Sequence, residues 1–232
     1  MQEPSIKAEK PKKNVKKVFR IVFAILSAIL LIGGAYIWYG YIGIPKEVSC
    51  KTPGEAVDLG LSVKWADRNV GATSPTDCGD YFAWGEVKPK TSYCIDGCKT
   101  YHENIDDISA NSEYDAAAAN WDDGWRMPTK AEWRELIDNC TWEWTTQGGK
   151  KGYKVTSKKN GNSIFLPAAG SRYRLSLLPI ADLGYYWSST PRENITGMTL
   201  FKETYYICFD SHARGVYWGS RADGHSVRPV TK

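Results

Sequence analysis

The sequence predicts an α+β domain, and three local signals carry that prediction: a helix with a full start signal, a paired-strand signature, and a late strand alternating inward and outward residues. Thr129-Lys130-Ala131-Glu132 is a capping box, in which the Thr hydroxyl accepts from the Glu132 amide and the carboxylate reaches back to the Thr129 amide. Pro128 disfavours helix before that point. Trp133, Leu136, Ile137 and Cys140 then fall at i, i+3, i+4 and i+7 and form one buried stripe. Tyr153-Lys154-Val155-Thr156 and Ile164-Phe165-Leu166 flank Asn160-Gly161, a tight-hairpin signature. Tyr205, Ile207 and Phe209 alternate with Tyr206, Cys208 and Asp210 as a half-buried strand should.

The remaining elements follow in chain order. Residues 1–20 carry seven basic and two acidic groups, leaving 23 basic against 24 acidic of the 30 and 26 in the whole chain. The basic excess is therefore a tail and gives no reason to expect nucleic acid as a partner. Residues 21–44 hold no charge and end in Tyr36, Trp38, Tyr39 and Tyr41. About 20 apolar residues span the hydrocarbon layer, and clustered Tyr and Trp suit its interface. The long core and bulky end favour an uncleaved signal anchor over a cleaved signal peptide, and no lipobox precedes Cys50. The positive-inside rule places the tail in the cytoplasm and everything after Pro45 outside, periplasmic or surface-exposed. Residues 45–54 read as a linker, and residues 55–232 as one domain of ordinary size. A short helix is expected through Tyr114-Asp115-Ala116-Ala117-Ala118-Ala119.

All six cysteines lie beyond the anchor, where disulfides are permitted, and the spacing of Cys94 and Cys98 suits a small closed loop. Free, packed thiols are the other reading for Cys140 and Cys208. No second Cys pair or nearby His completes a zinc shell, and no metal or cofactor is expected.

Several blocks carry a resemblance. Ala56-Val57-Asp58-Leu59-Gly60-Leu61-Ser62-Val63-Lys64-Trp65-Ala66, Gly79-Asp80-Tyr81-Phe82-Ala83-Trp84-Gly85-Glu86, Gly124-Trp125-Arg126-Met127-Pro128-Thr129, Phe165-Leu166-Pro167-Ala168-Ala169-Gly170, Gly184-Tyr185-Tyr186-Trp187-Ser188-Ser189 and Ser226-Val227-Arg228-Pro229-Val230 keep one order over nearly the whole of 55–232. The chain resembles the Fibrobacter succinogenes major paralogous domain family, which is common in envelope proteins of gut Bacteroidota and similar to C-type lectin-like and formylglycine-generating-enzyme-like domains. The resemblance implies a compact mixed fold with a loop-rich face and neighbouring chain ends. It implies no known reaction. Trp65, Trp84, Trp125, Trp133 and Trp187 are expected in the core, where indole rings that also donate one hydrogen bond can pin loops. Arg126 and Arg228 are expected to bridge carbonyls or carboxylates.

The parts of familiar active sites are missing from the sequence. It has no Gly-x-Ser-x-Gly elbow, no His-Glu-x-x-His and no phosphate loop. His102, His212 and His225 are scattered, and Asp106-Asp107 and Asp122-Asp123 are adjacent acids rather than a glycosidase pair. The cysteine pair on which the formylglycine-type reaction depends is not matched. The lectin calcium motifs are absent, and Glu103-Asn104-Ile105-Asp106-Asp107 reads as a solvated acidic loop. The expectation is a protein without catalytic activity.

The segment from Tyr205 onward is the most informative. Tyr206, Asp210, His212, Arg214, Tyr217, Trp218, Arg221 and Asp223 form a mixed aromatic, cationic and anionic set, with Gly219 and Gly224 permitting bends. Tyr, Trp and Arg supply binding energy at recognition surfaces. The resemblance places this stretch at the ligand face that diversity-generating retroelements vary in C-type lectin-like proteins. The same pattern also fits a polar strand with a surface turn. These eight residues are the expected ligand-binding set, for an extracytoplasmic glycan or protein. The alternative is a structural envelope component docked on a protein partner.

Overall fold

The computed structural model describes residues 52–121, 124–174, 176–177, 182–193 and 202–232. The chain divides into two units, residues 1–48 and 49–232, and every described residue belongs to the second. The expected spanning segment 21–44, the tail, Cys50 and Asp122-Asp123 lie outside the described residues. Among the described residues no helix is long and apolar enough to cross a membrane.

The domain is α+β, built from small antiparallel sheets and short helices. The first sheet joins the two ends of the domain. Strand β2 (Lys64–Ala66) lies between β1 (Ala56–Val57) and β11 (Val230–Thr231), and Trp65 pairs with both Val57 and Val230. Neighbouring chain ends were what the resemblance implied. Helix α1 (Ala116–Asn120) starts at Asp115, whose carboxylate accepts from the amides of Ala110, Ala117, Ala118 and Met127. It begins two residues later than the sequence suggested, because Asp115 caps it.

Helix α2 (Lys130–Asn139) has the expected capping box, with Thr129 Oγ1 accepting from Glu132 N at 3.2 Å and Thr129 N donating to Glu132 Oε2 at 2.7 Å. Trp133 and Leu136 are fully buried, Ile137 partly so, and Cys140 is buried as the first residue of β3 (Cys140–Gln147). Strands β3, β4 (Lys150–Ser157) and β5 (Ser163–Pro167) form the second sheet. The Asn160-Gly161 hairpin is present, with Gly161 at φ +77°, but its loop runs over residues 158–162. Ser157 Oγ accepts from the amides of Lys159 and Asn160, and the Asn160 and Asn162 side chains donate to Asp58 O. Those bonds hold a loop longer than a two-residue turn. A two-stranded ribbon of β6 (Arg172–Tyr173) and β7 (Ser176–Leu177) follows.

The central sheet runs in the order β10 (Arg214–Ser220), β9 (Glu203–Phe209), β8 (Gly184–Pro191). Its two faces serve two cores. Tyr186, Ile207 and Phe209 join Trp65, Trp133 and Leu136 on one side. Trp187 joins Phe82, Trp84, Trp121 and Trp125 on the other, with Tyr206 packed against it. At Gly184 a Cβ would lie 2.1 Å from the Phe209 ring, so only glycine lets that ring cross the strand.

The five tryptophans expected in the core are all buried, and three of them pin other segments. Trp133 Nε1 donates to Trp187 O (3.1 Å), Trp187 Nε1 to Phe82 O (2.7 Å) and Trp84 Nε1 to Ser188 O (2.9 Å). Arg228 is fully buried, and each of its three guanidinium nitrogens has an acceptor: Nε donates to Asn69 Oδ1 (2.8 Å), Nη1 to Ala66 O (2.9 Å) and Nη2 to Phe165 O (2.9 Å). Arg126 grips Glu132 through both Nη atoms. Burial alone would raise the Glu132 pKa, but that grip and the Thr129 amide hold it below the usual range.

The expected Cys94–Cys98 bridge is not made. Cys78, Cys94, Cys98, Cys140 and Cys208 are all free thiols. A 3-10 turn (Ile95–Gly97) closes the loop by backbone bonds instead, while Cys98 Sγ donates to Arg221 O (3.7 Å) and the Cys94 thiol accepts from Ser92 Oγ (3.9 Å).

Candidate functional site

Strand β9 alternates as the sequence predicted at Ile207 and Phe209, which face the first core. Tyr205 is only half-buried, with Lys130 Nζ 3.5 Å from its ring centre. The other side of the sheet carries Tyr185 and Trp187 from β8, Tyr206 and Cys208 from β9, and Tyr217 from β10, in register across the three strands. Their rings form a continuous group. Tyr206 lies 5.9 Å from Tyr185, 5.8 Å from Trp187 and 6.4 Å from Tyr217, centre to centre. His225 is buried beneath, 4.0 Å from Trp187 and 4.9 Å from Tyr206, with Nδ1 3.0 Å from Ser171 Oγ. Burial pushes His225 down to about 3, so it is a neutral supporting ring rather than an acid or base at physiological pH.

Asp223 stands beside this ring group. Its carboxyl is half-buried, accepts no hydrogen bond from the described residues, and is pushed up to about 6 by loss of water alone. Burial raises Tyr206 to about 12 and also raises the Tyr185 phenol, and the Asp223 charge raises both further. The phenols therefore stay protonated and can donate, while the carboxylate can only accept. Burial raises the Cys208 thiol too, and that thiol hydrogen-bonds Tyr185.

The eight expected residues do not form one surface. Tyr206, Tyr217 and Asp223 come together. Arg214 and Trp218 project from the opposite side of β10, as the period of two requires. The Arg214 guanidinium lies over Trp142 (5.3 Å), and Trp218 is covered in part by Arg192 (4.3 Å), which pairs with Glu203. Asp210 is a turn residue whose carboxylate accepts from the amides of His212 (2.7 Å) and Ala213 (2.8 Å), which lowers its pKa. His212 is exposed at the tip of that turn.

Arg221 was expected to face solvent and is instead buried, at 3% exposure. Its guanidinium stacks 4.1 Å from the Trp84 ring, and Nη1 donates to Glu103 O (3.1 Å). Strand β10 ends at Ser220, and the residue just past it turns its side chain onto Trp84 and the Glu103 carbonyl rather than to solvent. Among the described residues Nε finds no acceptor, and burial lowers the pKa of the guanidinium to about 10. Tyr185 and His225 belong to the site but were not among the expected ligand-binding residues, because the pairing of β8 with β9 and of His225 with Phe82 is long-range and no local spacing reveals it.

Away from the ring group, a concavity of about 360 Å³ runs past Glu86, Lys88, Lys99, Glu103, Glu113 and Tyr114. Three glutamates and two lysines line it, and Glu86 is already engaged by Lys90 Nζ and the Lys99 amide. It focuses neither sign of charge. Among the described residues no group of three or more His, Cys, Asp or Glu side chains converges on a possible metal position. Thr190 and Ser109 take up the Asp107 carboxylate. Compared with known protein families, characterised proteins and solved structures, the chain matches none.

Proposed function

We propose that this chain is a single-pass envelope protein, anchored by residues 21–44, that presents a non-catalytic recognition domain outside the cytoplasm. Its fold is read as C-type lectin-like, and its family as the Fibrobacter succinogenes major paralogous domain, on the ordered blocks quoted above. The observation that carries the recognition reading is the Asp223 carboxylate, without a hydrogen-bond donor among the described residues, beside the Tyr185–Tyr206–Tyr217 ring group. Aromatic rings offer flat apolar area, and a carboxylate lacking protein donors is completed by hydroxyl or amide donors from a ligand. A glycan supplies both a ring face and hydroxyls, and a protein loop supplies apolar side chains and amides.

The rival, a structural component docked permanently through an apolar surface, draws less support. The large exposed hydrophobic residues among those described are Ile95, Tyr173, Tyr217 and Trp218, and of these only Tyr217 and Trp218 adjoin in sequence. The test is retention of the native chain and of Asp223→Asn on glycan and surface-protein arrays. The reading expects retention by the native chain that falls at least tenfold in the variant. Equal retention by both removes this face from consideration.

A further inference from the structure

Among the described residues, strand β10 is the open edge of the central sheet. The opposite edge is taken: Trp187 N donates to Ser226 O (3.1 Å) and Ser226 N to Tyr185 O (3.1 Å), so residues following Gly224 flank β8. The hydrogen-bond phase of the β9–β10 hairpin is fixed at both ends, by Asp210 N to Ala213 O (2.9 Å) and Arg221 N to Lys202 O (3.3 Å). With the register of the hairpin, Thr204–Gly219, Tyr206–Tyr217 and Cys208–Gly215 are then the hydrogen-bonded pairs. The amides and carbonyls of Arg214, Val216 and Trp218 consequently point away from β9.

Natural edges are blunted by Lys, Pro, inward charges or bulges. β10 reads Arg-Gly-Val-Tyr-Trp-Gly-Ser and pairs without a bulge through all seven positions. Its two central aromatics, Tyr217 (46% exposed) and Trp218 (49% exposed), point to opposite sides of the sheet. A ligand lying on one face covers only one of them. A strand added to the edge covers both.

We propose that the added strand is β10 of a second copy, paired antiparallel about a twofold axis at Tyr217. That register satisfies the phase derived above: Val216 faces Trp218 of the partner copy as a hydrogen-bonded pair, and Tyr217 faces its own equivalent as a close, non-hydrogen-bonded pair. Gly215 faces Gly219, so the neighbours of the central tyrosines on their side carry no bulk. The single charge of the strand, Arg214, lies at one end, and antiparallel self-pairing puts the two copies of it at opposite ends. The near-neutral balance of residues 21–232, 23 basic against 24 acidic groups, offers little general repulsion. The result is one six-stranded sheet with both Tyr206–Tyr217–Asp223 groups on the same side. The inference stands apart from the ligand reading, because mass alone tests it.

The test uses the full chain, whose mass is 26.0 kDa. Sedimentation corrected for bound detergent should give twice that mass, and Tyr217→Lys, which sets like charges face to face, should return it to a single chain. Mild oxidation of Tyr217→Cys should give a disulfide-linked dimer well above the native background, since facing Cα atoms in such a pair lie roughly 4.5 Å apart. His212→Cys should not, because its copies would stand roughly 30 Å apart at about 3.4 Å per residue. A monomeric native chain, a dimer indifferent to Tyr217→Lys, or equal cross-linking at both positions would overturn the proposal.

Discussion

Two stretches of the same C-terminal run, 217–223 and 225–230, treat their polar groups in opposite ways. In the second, Arg228 is buried without an ion pair among the described residues, yet Nε, Nη1 and Nη2 each have an acceptor, and His225 is held by Ser171. In the first, Arg221 is nearly as buried, but among the described residues its side chain donates only to Glu103 O, leaves Nε without an acceptor and leans on Trp84. Two residues on, Asp223 accepts nothing from the described residues. One stretch is a closed joint that ties β2, β5 and the Asn69 loop together, and the other is left chemically incomplete. Incomplete polar groups beside exposed aromatics mark where a protein leaves room for something else.

The contrast can be broken at its strong end first. Arg228→Ala removes donors from Asn69 Oδ1, Ala66 O and Phe165 O, all buried, and should cost on the order of 3–5 kcal/mol in urea unfolding. Trp133→Ala should fall in a similar range of about 3–5 kcal/mol, because it empties the space against Trp65 and frees Trp187 O. Arg221→Ala should cost much less, about 1–2 kcal/mol, since one hydrogen bond and one stacking contact are lost. A loss equal to that of Arg228→Ala would erase the distinction.

Asp223→Asn sharpens the contrast through pH. The folded carboxyl titrates near 6, above its ordinary value of 3.8, so ionisation opposes folding, and its full cost is present above about pH 6. That cost fades as pH falls toward the unfolded pKa. The variant should therefore melt higher than the native chain at pH 7 and match it near pH 3.5, as thermal scans at both pH values would show. Within a single chain, the smallest effect on stability belongs to Tyr217→Ala, expected within about 0.5 kcal/mol because the ring of the isolated domain is 46% exposed.

What was legible in the sequence was local. The Thr129–Glu132 capping box, the Trp133 and Leu136 stripe and the inward phase of Ile207 and Phe209 rest on spacings of two to four residues, and all appear in the fold. The extended blocks also allowed Arg126 and Arg228 to be read as bridging residues. The candidate site was legible only in part. Tyr206, Tyr217 and Asp223 come together, but Arg214 and Trp218 took the opposite side of β10 by the same alternation that places Tyr217. Arg221 was misplaced because the partners that bury it, Trp84 and Glu103, are distant in sequence and leave no mark near it. Cys94 and Cys98 had suitable spacing for a bridge, but the backbone turn between them closes the loop without one.

The most direct measurement of the central claim is binding of the full native chain, side by side with Asp223→Asn and Tyr217→Ala, to one glycan and surface-protein array at pH 7. The account predicts that the native chain is retained on a defined set of features, that both variants remain folded by circular dichroism, and that both lose those features. Retention of the same features by both folded variants would contradict it.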